Sequence, residues 1–259
     1  MRRDLSSLAA IPSSPRLASS PGVVDLWYFP YEQIADLDPL WSAYLELLTA
    51  DERKRGERYL MERDRRQFLA TRALARTVLS HYAAVAAADW RFALGERGKP
   101  HLAGPPPVPP LYFNLANTAG LVVCAVSLVH ETLGVDVERL DRRNDLLALA
   151  NRYFAPAEAA ALRVLPAADQ PRRFFDYWTL KESYIKARGQ GLAIPLDSFA
   201  FELTGREVAV RFEATRGENA ADWQFVLLDF PPRYALAVGV NTLGVPLQLR
   251  ARLYVPLRD

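Results

Sequence analysis

Apolar residues recur along this chain in two rhythms, near every second position and near every third or fourth, and each rhythm marks a different element. The stretch 23–29 is mostly β-branched and aromatic and ends at Pro30, which predicts a strand. A short helix is expected over 39–48. Thr49-Ala50-Asp51-Glu52 has the form of a capping box, opening a basic helix through Arg53-Lys54-Arg55-Gly56-Glu57-Arg58. Phe68, Leu69, Ala73, Leu74 and Leu79 return at helical spacing and predict a longer helix over 63–87. A strand at 91–94 leads into a turn at 95–100 with Lys99 at its tip, then into a proline-rich extended connector at 105–110. Strands at 112–115 and 121–128 form a hairpin through Asn117-Thr118-Ala119-Gly120, and 134–138 is a further strand. A helix follows over 172–187, ended near Gly189.

The second half echoes the first. Arg65-Arg66-Gln67-Phe68 resembles Arg172-Arg173-Phe174-Phe175, and Phe92-Ala93-Leu94 resembles Phe199-Ala200-Phe201, both 107 positions on (172 − 65, 199 − 92). The hairpin ending Ala125-Val126 has a counterpart ending Ala237-Val238, 112 positions on (237 − 125). The order and near-constant offset predict a duplicated unit and an α+β fold of two similar lobes, 23–129 and 130–259. A cleft between such lobes is the natural place for a ligand. Residues 1–22, rich in serine and arginine, are expected to form a disordered tail.

Composition narrows the function classes. The 259 residues are half hydrophobic, enough for one large core or two small ones, and the net charge of +2 argues against a nucleic-acid binder. The basic residues nevertheless crowd into 53–76. Cys124, the only cysteine, excludes an intrachain disulfide and reads as a core thiol within an apolar run. His81, His101 and His130 have no metal-ligand spacing. No run approaches the ~18 apolar residues of a membrane span, and the N-terminus lacks the apolar core of a signal peptide, so the cytoplasm is the expected address.

Three constellations carry candidate chemistry. In Gly134-Val135-Asp136-Val137-Glu138, strand alternation turns Val135 and Val137 into the core and Asp136 and Glu138 outward together, about 7 Å apart. Their repulsion, about 2 kcal/mol at an effective dielectric near 20, fits either a solvated strand edge or a pair that holds Mg²⁺. In Trp178-Thr179-Leu180-Lys181-Glu182-Ser183-Tyr184-Ile185-Lys186, Trp178, Glu182 and Lys186 share one helix side bordering the core. Glu182 and Lys186 there read as a plain helix pair or a partly buried functional one. The basic helix with the Lys99 turn offers guanidinium forks to a polyanion, or is simply a solvated face. Acids for a metal, a Glu–Lys pair and a basic surface together suit phosphoryl chemistry.

At this point the chain resembles the Sfp-type 4′-phosphopantetheinyl transferases. Their G-x-D-x-E strand stands as Gly134 to Glu138 and their W-x-x-K-E-x-x-x-K helix as Trp178 to Lys186. A G-K-P turn stands as Gly98-Lys99-Pro100, and Phe113-Asn114-Leu115-Ala116-Asn117-Thr118 matches an F-N-x-S-H-[ST] segment. The resemblance covers 23–240. It implies a two-lobed pseudo-dimer with the active site between the lobes, Mg²⁺ as cofactor and coenzyme A as substrate. The product is a carrier protein whose serine bears the phosphopantetheine arm, with 3′,5′-ADP released. It implies Asp136, Glu138 and Glu182 as metal ligands, Glu182 also as base towards the serine, and Lys186 on the phosphate and leaving group. Arg55, Lys99, Pro100, Asn117 and Thr118 stand at coenzyme A positions. Acyl or peptidyl carrier domains are the implied partners, and a duplicated chain is expected to be a monomer without nucleic-acid or membrane partners.

Two departures bear on the grip on coenzyme A. Ala116-Asn117 replaces the family's Ser-His, and Asn117 can donate a hydrogen bond but carries no charge. Glu52 stands where some members have a basic residue. Rival readings are a magnesium phosphotransferase with another donor, a binding module without chemistry, and a nucleic-acid binder, which lacks interleaved aromatics.

Overall fold

The computed structural model describes residues 2–4, 22–141, 145–205, 207–229 and 233–258. The tail expected over 1–22 lies outside the described residues except for Gly22 and strand β1 (Arg2–Asp4), which pairs in parallel with 227–229. The chain folds as two compact units, the first holding 22–131 and 248–258, the second 2–4 and 132–247.

The first unit runs β2 (Val23–Phe29), α1 (Leu40–Leu47), α2 (Ala50–Glu57), α3 (Glu62–Ser80), β3 (Arg91–Leu94), β4 (Pro100–Gly104), β5 (Tyr112–Thr118) and β6 (Leu121–Ser127). Its sheet has the order β12-β2-β6-β5, where β12 is the late segment Gln248–Leu253, lying parallel to β2. Every residue of β2 and β6 is buried, as their near-continuous apolar sequence requires. Trp27, Phe29, Tyr44, Leu69, Leu74 and Cys124 lie in one core with α1 and α3 packed over the sheet. The capping box forms: Thr49 Oγ1 accepts from Glu52 N at 3.3 Å, and Glu52 Oε2 accepts from Thr49 N at 3.0 Å.

Helix α3 ends at Ser80, seven residues short of the expected 87. The alanine-rich stretch beyond it has helix propensity, but a buried polar cluster claims the chain. Tyr82 donates its hydroxyl to Asp25 Oδ2 at 2.8 Å and accepts from Trp27 Nε1 at 2.8 Å. His81 stacks on the Trp27 ring. Arg250 of β12 closes the cluster with bonds of 2.8 and 2.9 Å to Asp25. Leaving Asp25 buried without these partners would cost more than the helix turn lost here.

The second unit runs β7 (Leu133–Arg139), α4 (Leu146–Tyr153), α5 (Pro156–Arg163), α6 (Gln170–Arg188), β8 (Phe199–Thr204), β9 (Glu207–Phe212), β10 (Trp223–Asp229) and β11 (Tyr234–Asn241). The sheet order is β1-β10-β11-β7, and α6 lies across β7 and β11. Gly189 ends α6 with φ 65°, a left-handed cap suited to glycine. Each unit thus shows a strand, three helices and four further strands, with the first strand beside the last of these, β2 by β6 and β7 by β11. Helices α3 and α6 are both 19 residues long.

Gly134 on β7 and Gly239 on β11 are register partners. A Cβ on Gly134 would sit 2.0 Å from Ser183 O and 2.5 Å from Ala187 N, and one on Gly239 would meet the Phe225 ring at 2.5 Å and Ser183 Oγ at 3.0 Å. The two bare positions make a saddle on which α6 rests closer to the sheet than any side chain would allow.

Candidate active site

Alternation along β7 puts Gly134, Asp136 and Glu138 on the face that α6 covers. This corrects the outward-facing edge expected from the sequence: Asp136 is 6% exposed, and Val135 and Val137 on the opposite face are buried too. The close approach at Gly134 brings the next turns of α6 over the acids. Lys186 donates from Nζ to Asp136 Oδ1 at 2.6 Å. Asp136 Oδ2 is buried and finds no hydrogen-bond partner among the described residues.

Glu182, half-buried one turn earlier, has its carboxyl pushed above the usual carboxylate value, first by burial, then by the neighbouring Asp136 charge, with Lys186 opposing. Asp136 and Glu182 are therefore close enough to feel each other, with Lys186 between them in charge. Lys186 makes its bond to Asp136 across elements rather than to Glu182 on its own helix. Among the described residues no group of three or more His, Cys, Asp or Glu is gathered closely enough to form a ready metal cage. Asp136, with one oxygen on the Lys186 ammonium and the other buried and partnerless, and Glu182 near it still have the donor chemistry of a hard cation, and Glu138 stands two residues along the same face.

Trp178 stacks on Phe174 at 6.0 Å and so fixes the start of this helix side against the core of the second unit. Lys181 of the same motif does something the sequence did not disclose. It is fully buried, pairs with Glu158 Oε2 at 2.7 Å, and donates to Leu196 O and Phe199 O at 2.7 Å each. Glu158 also accepts from Phe201 N at 2.8 Å and Ala155 N at 3.0 Å. All three ammonium protons are used, so Lys181 locks α6 to α5 and β8. A buried charge so fully bonded, one position before Glu182, sets the rotation of the helix.

In the first unit, Arg55, Pro100 and Asn117 line a cavity of about 420 Å³ together with Tyr59, Asp64, Gln67, Phe68, Thr71, Arg72, Leu94, Gly98 and Leu115. Thr118 is buried beside it in sequence, and burial pulls the Lys99 ammonium below its usual value, with Glu131 opposing. Arg55 and Arg72 lie over the Phe68 ring, 5.9 and 5.5 Å from its centroid. The crowd of basic residues over 53–76 is largely spent on structure. Arg53 donates to Leu48 O, Arg66 pairs with Asp36 and Glu62, and Arg76 is fully buried against Glu52, Ala87 O and Trp90 O. Glu52 thus serves as helix cap and as counter-ion to Arg76 and Arg72. Burial alone would raise its carboxyl, but the Thr49 N–H and Arg76 outweigh that and hold it below the usual value.

Comparisons with known proteins agree over both units. Residues 132–239 match the 4′-phosphopantetheinyl transferase superfamily, and 36–129 match the N-terminal domain described as 4′-phosphopantetheinyl transferase, N-terminal. The 4′-phosphopantetheinyl transferase HetI of Nostoc sp. is 36% identical over 235 residues, 90% of this chain and 94% of that protein. The 4′-phosphopantetheinyl transferase Sfp of Bacillus subtilis is 30% identical over 160 residues, 62% of this chain and 68% of that one. With the acid–lysine strand and helix inside one matched segment and the basic cavity inside the other, the chain belongs to the 4′-phosphopantetheinyl transferase superfamily and is a transferase enzyme.

Proposed function

We propose that this protein transfers the 4′-phosphopantetheine arm of coenzyme A to a serine of apo acyl or peptidyl carrier proteins, acting as a monomer in the cytoplasm with Mg²⁺. The observation that carries the reading is the Lys186–Asp136 bond of 2.6 Å beside Glu182, whose carboxyl is raised by burial and by Asp136. A basic residue bonded to one acid, beside a second whose proton affinity is raised, suits a reaction in which a proton is taken and phosphate charge is neutralised.

In this reading Asp136, Glu138 and Glu182 would hold the ion, and the chemistry it supplies when bound is neutralisation of the pyrophosphate. The serine Oγ attacks the phosphorus nearest the pantetheine, and its proton passes to Glu182. The phosphoanhydride bond breaks, and the electron pair leaves on 3′,5′-ADP while Lys186 donates to the phosphate oxygens. Arg55, Lys99, Pro100, Asn117 and Thr118 would hold the nucleotide part of coenzyme A, with Arg55 supplying a charged donor in the cavity.

The test incubates the full chain with coenzyme A, Mg²⁺ and a panel of apo carriers from fatty-acid, polyketide and nonribosomal peptide pathways. A carrier mass gain of one phosphopantetheine, lost when the carrier serine is replaced by alanine, is the expected result. No gain on any carrier, with coenzyme A left intact, would sink the reading.

A further inference from the structure

Gln67 and Asn117, two neutral side chains lining the 420 Å³ cavity, continue a hydrogen-bond chain that starts at Tyr31. Tyr31, 8% exposed, donates its hydroxyl to Gln67 Oε1 at 3.1 Å. Gln67 then donates from Nε2 to Asn117 Oδ1. In this arrangement the Tyr31 hydroxyl donates to the accepting end of the Gln67 amide, and the donating end faces Asn117. That in turn turns the acceptor of Asn117 towards Gln67. The two N–H groups on Nδ2 are the end left to the cavity, which Asn117 lines together with Arg55 and Arg72. Thr71 Oγ1, on the next turn of α3, is held by Gln67 O at 2.7 Å and does not compete for the amide.

We propose that Tyr31 and Gln67 are positioning residues that hold Asn117 as an uncharged hydrogen-bond donor, aimed at an acceptor oxygen of the phosphorylated nucleotide bound in this cavity. This rests on the reading that the cavity takes the nucleotide part of coenzyme A. Without the relay the Asn117 amide is free to flip, and half of its orientations present an acceptor to an anion. Gln67 therefore acts through Asn117.

Titration calorimetry of the full chain with coenzyme A tests this, with thermal unfolding as a check on each variant. Asn117→Ala is expected to weaken binding about tenfold, and Gln67→Ala about threefold. In the Asn117→Ala background the Gln67→Ala change should have no further effect, the signature of a residue that works through its neighbour. Tyr31→Phe, which keeps the ring and removes only the donor, should weaken binding about twofold. In steady-state transfer these changes raise KM for coenzyme A and leave kcat alone. If Gln67→Ala and Tyr31→Phe both bind like the unaltered chain, or if the double variant loses the product of the two single factors, the relay is overturned while the donor-site reading stands. Absence of coenzyme A binding by the unaltered chain would overturn both.

Discussion

Lys186 and Asp136, 50 positions apart in sequence, meet at 2.6 Å, and this bond ties the end of α6 to the middle of β7. The Asp136 side chain is 8% exposed and that of Lys186 30%, so the bond is shielded on the acid's side and open on the lysine's. Removing the lysine strands a buried carboxylate. Lys186→Ala is expected to cost about 1–3 kcal/mol of stability, measured by urea unfolding, and to abolish carrier modification. Asp136→Ala should abolish transfer while the fold survives. A variant at either position that modifies a carrier at the normal rate would remove the acid–lysine cluster from the mechanism.

Gly134→Ala puts a methyl group 2.0 Å from a helix carbonyl, and the obstacle is backbone rather than a flexible side-chain end. The helix must lift off the strand. We expect a loss of about 3 kcal/mol or failure to fold, with transfer falling further than stability because Glu182 and Lys186 move away from Asp136. If Gly134→Ala unfolds at the same urea concentration as the parent, the saddle is not the constraint described.

Lys181→Met should cost about 3–5 kcal/mol, because Glu158 would lose its counter-ion in a buried site that already pushes its carboxyl towards the protonated form. Pairing it with Glu158→Leu should restore much of that stability, since the two changes remove both charges at once. Transfer by the double variant reports on helix rotation separately from stability. Full activity at restored stability would show that the lock is dispensable for placing Glu182.

Glu52 predicts an acid-sensitive share of stability. Its carboxyl is held below the ordinary 4.5, so the folded chain binds this proton more weakly than the unfolded one. The stabilisation is complete above 4.5 and fades as pH falls through the lowered folded value. The gap in unfolding free energy between the parent and Glu52→Gln should therefore be constant near neutrality and narrow below 4.5. A gap that widened on acidification would reverse the assignment.

Much of the architecture is legible in local signals of the sequence. The strand at 23–29, the capping box at Thr49 and the stop at Gly189 follow from signals carried within a few residues of one another. The family was legible because two motifs with strict internal spacing stand in order. Other features were hidden. The basic stretch looked like a surface for polyanions, yet Arg53, Arg66 and Arg76 are engaged by partners up to 30 positions away, and only Arg55 and Arg72 reach the cavity. The parallel seat of 248–253 beside β2 left no trace in local pattern.

Periodicity, caps and motif spacing are properties of near neighbours, so the chain's own order settled which segments are helix or strand and which residue types the chemistry would draw on. Partnership is a property of packing. That Lys186 bonds Asp136 rather than Glu182, that Lys181 is spent on Glu158, and that Asp25 stops α3 at Ser80 all depend on distant segments being pressed together. A buried charge takes whichever opposite group the core brings within reach, and only the assembled core decides which one that is.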